Sequence, residues 1–119
     1  MKRTITDGTK LWLDDYREPP NGNWTWAATK DEAIAFMNYN TVTVASLDFD
    51  LGGKIFDDSG IYGGAESGMG FVEWMIARDI WPTDRLTIHT SNAEAAGRMI
   101  ERIRSANPSL KVEYVPARD

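Results

Sequence analysis

The chain divides into short apolar runs separated by polar segments that carry glycine or proline. Five runs read as strands: Lys10–Asp15 (KLWLDD), Trp24–Ala28 (WTWAA), Thr41–Asp48 (TVTVASLD), Arg85–Thr90 (RLTIHT) and Lys111–Val115 (KVEYV). The third is β-branched and continuously apolar rather than alternating, which predicts a central strand buried on both faces. Between the runs, apolar residues recur at helical spacing. Thr29-Lys30-Asp31-Glu32 is a capping box ahead of Ala33, Ile34 and Met37. Ser67 or Gly68 opens a second helix with Phe71, Val72, Met75 and Ile76 on its apolar side. Ser91-Asn92-Ala93-Glu94 caps a third, which presents Ala96, Met99, Ile100 and Ile103 and stops at Asn107-Pro108.

The order β-β-α-β-α-β-α-β predicts a mostly parallel, five-stranded sheet covered on both faces. Two segments interrupt the alternation. Tyr16–Asn23 (YREPPNGN) is too short and too rich in proline and glycine for a crossover helix, so either it crosses in extended form or the second strand lies at an edge. Gly52–Gly68 carries six glycines in 17 residues without a steady period, and reads as a mobile loop after the third strand.

With 119 residues the chain makes one domain, 10–119, behind an N-terminal extension, 1–9. The net charge of −5 comes from 13 basic and 18 acidic residues with no basic block, which excludes broad binding to a nucleic-acid backbone. A small phosphorylated ligand or a single RNA end remains open as partner. The absence of cysteine excludes disulfides and thiolate metal sites and favours a cytoplasmic setting. The start, MKRTITDGTK, lacks the apolar stretch of a signal peptide, and no run reaches the ~18–20 apolar residues of a membrane span.

The chemistry gathers where strands end. In open parallel sheets ligands bind beyond the carboxyl ends of the strands. Here the first strand ends in Asp14-Asp15, the third in Asp48 with Asp50 just beyond, and the fourth in His89-Thr90-Ser91-Asn92. Carboxylates crowded on one rim repel, and a hard divalent cation, Mg²⁺ or Mn²⁺, relieves that repulsion while accepting oxygen ligands. Asp14, Asp15, Asp48 and Asp50 are therefore the candidate metal ligands. Asp48, Asp50 and His89 are the candidates for catalysis, with Asp48 able to act as an aspartyl nucleophile and His89 as a general acid. Arg17, Thr90, Ser91 and Asn92 are placed to contact phosphoryl oxygens, as are backbone N–H groups where the helix near Ala93 begins. Asp57-Asp58 reads as solvated, Trp74 and Met75 as core, and Trp24 or Trp26 as an outward ring able to stack a base. The Asp48-x-Asp50 pattern also occurs in haloacid-dehalogenase-type phosphatases, but there it sits on an early strand with a larger chain behind it.

These motifs resemble response-regulator receiver domains and, more closely, the receiver-like family described as cyclic-phosphate-processing. The matching segments, in order, are LDDYREPP, SLDFDLG, GFVEWM and IHTSN, spread over about residues 10–105. The resemblance implies a receiver-like (flavodoxin-like) three-layer α/β sandwich whose first crossover helix is replaced by a loop. It also implies an acidic metal site and the handling of a cyclic phosphate, as a cyclic nucleotide or a 2′,3′-cyclic RNA end, in RNA repair or nucleotide-based defence. A metal-dependent phosphodiesterase is the activity that follows. Phe49 stands where the family often has histidine, and the Gly52–Gly68 segment is longer than usual. A receiver's lysine after the last strand is missing, with only Arg118 nearby, which argues against phosphorelay signalling. A phosphoacceptor receiver and a non-enzymatic module that sequesters a phosphorylated ligand are the rival readings.

Overall fold

A computed structural model of the chain describes residues 9–49, 51, 55–57, 60–62 and 67–116, with only the backbone described at 55–57 and 60–62. Its elements are β1 (Thr9–Leu13), β2 (Trp24–Ala27), α1 (Lys30–Tyr39), β3 (Val42–Leu47), β4 (Ile55–Asp57), β5 (Gly60–Tyr62), α2 (Gly68–Arg78), β6 (Arg85–Ile88), α3 (Ala93–Ala106) and β7 (Lys111–Tyr114). The main sheet has five strands in the order β2-β1-β3-β6-β7, every pair parallel. The receiver-like α/β fold is thus present, and the main sheet is wholly parallel. Thr9 already belongs to β1, so the expected extension reduces to residues 1–8, which lie outside the described residues. No helix among the described residues is long and apolar enough to cross a membrane.

Strand order explains how the layers form. From β1 the chain steps outward to the edge strand β2, then returns across the sheet to β3, β6 and β7. Right-handed crossovers place α1, α2 and α3 on one face when every later step runs the same way, and send the β1–β2 connection to the opposite face. The packing agrees. Leu11, Leu13, Ala45, Leu47, Leu86 and Ile88 form one buried cluster with Ala33 and Met37 of α1, Phe71, Val72 and Met75 of α2, and Ala96, Met99 and Ile103 of α3. Among the described residues the other face is covered, as expected, by a loop in place of the first crossover helix: the segment 14–23, whose ten residues with two prolines cannot form that helix. Of the two possibilities for this segment the second holds, since β2 is an edge strand, while the segment itself runs through bends and turns. β3 is buried on both faces as expected, with Val44 and Ser46 under 5 % exposed on the helix-free side.

Local signals set the helix starts. The Thr29 side chain accepts from Glu32 N at 3.1 Å, and Glu32 Oε1 accepts from Ala28 N at 2.7 Å, a reciprocal cap displaced by one residue from the usual box. Thr29→Ala is expected to cost about 1 kcal/mol, read as a lower urea midpoint with an unchanged slope. Ser67 caps α2 and Asn92 caps α3.

The glycine-rich segment differs from expectation. Ile55–Asp57 pairs antiparallel with Gly60–Tyr62 as a small hairpin. The high glycine count masked two β-favouring triplets, Ile-Phe and Ile-Tyr among them, set two residues apart, the spacing of a tight hairpin. The expected mobility of this segment concerns residues that lie mostly outside the described ones.

Candidate functional site

Because β1, β3 and β6 are adjacent and parallel, the residues that follow them emerge side by side. Asp14 N donates to Ala27 O at 3.0 Å, Asp48 N to Leu13 O at 2.9 Å and His89 N to Leu47 O at 2.8 Å, so the ladder carries Asp14, Asp48 and His89 to one rim. That is the convergence expected from the strand ends. All three side chains are nonetheless buried, at 0 %, 3 % and 3 % exposure, so each needs a partner.

Asp14 is fully engaged. Its Oδ1 accepts from Tyr16 N at 2.8 Å and Arg17 N at 2.9 Å, an Asx-type turn that starts the 14–23 segment. Its Oδ2 meets His89 Nε2 at 2.9 Å. Burial pushes the Asp14 carboxyl up, but the His89 hydrogen bond and the backbone N–H groups of Arg17 and Tyr16 outweigh it and hold the group below its ordinary range. Asp48 goes the other way. Burial and the neighbouring Asp14 charge raise its carboxyl above the ordinary range, and the hydrogen bonds from Thr90 and Phe49 N only partly offset them. Two adjacent carboxyls are thereby shifted in opposite directions by their surroundings.

Arg17 lies between them. Its Nη1 is 3.5 Å from Asp48 Oδ2 and 3.6 Å from Asp14 Oδ2, ion-pair distances longer than a hydrogen bond. Its backbone oxygen accepts from Trp12 Nε1 at 2.8 Å, which pins the segment over β1.

His89 has both ring nitrogens occupied. Nδ1 is 2.7 Å from Ser46 Oγ, and Ser46 in turn accepts from Thr87 Oγ1 at 2.6 Å. The ring also stacks on Trp12, with centroids 3.8 Å apart and planes 6° from parallel. The ring thus faces the Ser46 hydroxyl with Nδ1 and the Asp14 carboxyl with Nε2. A direct phosphate contact by His89 requires breaking one of these bonds, so the ring in this structure orients Asp14. Thr90 is buried completely; its Oγ1 accepts from Asn92 N at 3.1 Å and its carbonyl from Tyr114 Oη at 3.0 Å. Asn92 uses its side chain on Ala95 N at 3.0 Å as the helix cap, and Ser91 is exposed at the rim. Trp26, 45 % exposed, donates Nε1 to Asp14 O at 2.6 Å.

Asp14, Asp15 and Asp48 each offer an oxygen within 4.8 Å of the others, so this cluster could hold a metal ion. The donors fit a hard cation: all are carboxylate oxygens, two buried and one exposed where waters complete a shell. Burial first and the Asp14 charge second raise the Asp48 carboxyl, and a cation beside it would offset both. Asp50, the fourth ligand expected, and Arg118 lie outside the described residues. So does the Asp58 of the Asp57-Asp58 pair, while Met75 is core and Trp74 packs against it.

Sequence patterning missed Trp12, Ser46, Thr87 and Tyr114, which support the site from β1, β3, β6 and β7. Ser46 and Thr87 were visible as hydroxyls inside otherwise apolar strands, but only the cross-strand register Trp12↔Ser46↔Thr87 puts them under His89. Gly68 was also missed. Its N–H donates to Phe49 O at 2.8 Å, and a Cβ there would overlap the Asp48 carbonyl oxygen, so α2 starts directly against the acidic strand end.

A family model described as the cyclic-phosphate processing receiver domain matches residues 9–105. No curated protein matches the chain.

Proposed function

The chain belongs to the cyclic-phosphate processing receiver family, and from that premise we propose that it binds Mg²⁺ or Mn²⁺ at its acidic strand ends and hydrolyses a cyclic phosphate ester there. The observation that carries this reading is the meeting of Asp14, Asp15 and Asp48 within 4.8 Å, with Thr90 hydrogen-bonded to Asp48 from the next strand. A bound divalent cation would neutralise phosphoryl oxygens. Asp14, oriented by His89, and the exposed Asp15 hold it, and Arg17 keeps a fixed positive charge beside the reacting group. Asp48, with its raised carboxyl, takes the proton of the attacking water. The water oxygen bonds to phosphorus, one ring P–O bond breaks, and the departing alkoxide takes the proton that Asp48 accepted from the water. Candidate esters are cyclic nucleotides and 2′,3′-cyclic RNA ends, in an RNA-repair or nucleotide-defence setting.

The test incubates the protein and metal with each ester and follows the phosphorus species by NMR. Ring opening is expected, lost in Asp48→Asn and slowed in Thr90→Val, which removes the hydroxyl hydrogen-bonded to Asp48. Tight binding with the ester recovered unchanged would refute hydrolysis and leave a sequestering module.

A further inference from the structure

The helix-free face of the sheet has a chemistry that the acidic rim does not use. Along one row the register aligns Trp26, Trp12, Ser46, Thr87 and Glu113, and along the next Trp24, Lys10, Val44, Arg85 and Lys111. A parallel sheet ordinarily hides both faces under aliphatic side chains. Here one face is aromatic, hydroxylated and charged. The 14–23 segment and residues Val115 and Pro116 wall it into a hollow of about 430 Å³, with Trp12 and Trp24 on one side and Ser46 and Thr87 at the base.

We propose that this hollow seats the heteroaromatic ring of the phosphorylated ligand, a nucleobase, so that the substrate of the rim is a nucleotide and not a bare sugar phosphate. The proposal rests on the function proposed above for the rim, and three features of the hollow point to a base. Its volume lies in the range of small-molecule sites, large enough for a nucleoside. Its wall includes the partly buried indole of Trp24, a ring on which a base stacks regardless of sequence, beside Trp12, one face of which carries His89. Its polar groups have both signs, Arg85 against Glu18, with hydroxyl oxygens at the base. That mixture suits an uncharged ring bearing donors and acceptors, whereas an acyl chain would cover the Arg85 and Glu18 charges and shut them off from water. The hollow is also continuous with the rim, since Arg17 and His89 belong to both: Arg17 spans Asp14 and Asp48, and His89 turns Nε2 to Asp14 and Nδ1 to Ser46. One molecule can therefore place its ring against Trp24 and its phosphate at the strand ends.

Phosphate-free nucleosides separate this inference from the rim chemistry. Adenosine, guanosine, cytidine and uridine are titrated into the protein in EDTA, following the tryptophan indole N–H resonances. At least one nucleoside is expected to bind without metal and to shift Trp12 and Trp24, leaving Trp74 and Trp81 unmoved. Trp24→Ala is expected to weaken that binding at least tenfold while keeping any metal-dependent rise in melting temperature. Should Trp24→Ala not fold, Arg85→Glu, at a partly exposed position lining the hollow, is expected to weaken nucleoside binding in its place. No nucleoside binding at millimolar concentration, resonance shifts elsewhere, or ribose 5-phosphate binding as tightly as a nucleotide would each overturn the proposal. Nucleoside binding without any metal response would instead overturn the reading of the rim and leave the base site intact.

Discussion

Millimolar Mg²⁺ or Mn²⁺ is expected to raise the melting temperature of this protein, and Asp48→Asn to remove most of that rise. A ligand present at a hundred times its dissociation constant stabilises a fold by about 2.7 kcal/mol, several degrees for a domain of this size. The effect should be large because the metal-free site is under electrostatic tension: burial and the Asp14 charge hold the Asp48 carboxyl above its ordinary range. The pH dependence follows with a definite sign. A carboxyl raised in the folded state keeps its proton longer there than in the unfolded chain, so metal-free stability falls as pH rises from the ordinary aspartate range through Asp48's own. Asp14, held below its ordinary range, acts oppositely and contributes stability that is lost only as pH falls through its folded value. Asp48→Asn removes the first effect alone. Without metal it should be more stable than wild type at neutral pH, and the difference should vanish on acidification. Metal binding should also weaken on acidification sooner than at a site of unperturbed aspartates, since protons compete for Asp48. Melting curves in EDTA and in metal across pH check all of this; curves indifferent to both cations would remove the metal site.

Of Gly22, Gly68 and Gly97, Gly68 is expected to be the position where an added methyl, as in Gly68→Ala, does most damage. Its Cβ would overlap the Asp48 carbonyl oxygen, a backbone atom that cannot rotate away, so either α2 or the end of β3 must shift. Overpacking of this kind costs typically 1–3 kcal/mol, and the upper end is expected here because the Gly68 N–H to Phe49 O bond at 2.8 Å fixes the same contact. The displacement falls on Asp48, so metal response should suffer along with stability. Gly97→Ala is the control. Gly97 is an exposed position inside α3 with nothing within 4 Å of an added Cβ, and alanine there should stabilise by roughly 0.5–1 kcal/mol. Urea titrations of both variants check the contrast, and equal effects would mean that only helix propensity is at work.

The order of elements, the capped starts of all three helices and the acidic ends of β1 and β3 were legible in the sequence. Each depends on a few neighbouring residues: Thr29 and Glu32 on one helical turn, Asp14 and Asp48 on the abrupt end of an apolar run. Strand order decided the rest. Only the return of the chain from the edge strand β2 places every helix on one face and leaves Trp12, Ser46 and Thr87 beneath the 14–23 segment. The hydrogen-bond partners of His89 were out of reach for the same reason: they are 43 and 75 residues away in the chain. The opposite shifts of Asp14 and Asp48 likewise come from burial and from contacts across strands, while the residue types are identical. Local sequence specifies which chemical groups stand at the strand ends, because caps and hydrophobic periods act over a few residues. What those groups can do depends on charge, desolvation and hydrogen bonding between segments far apart in the chain, and those exist only once the sheet has assembled.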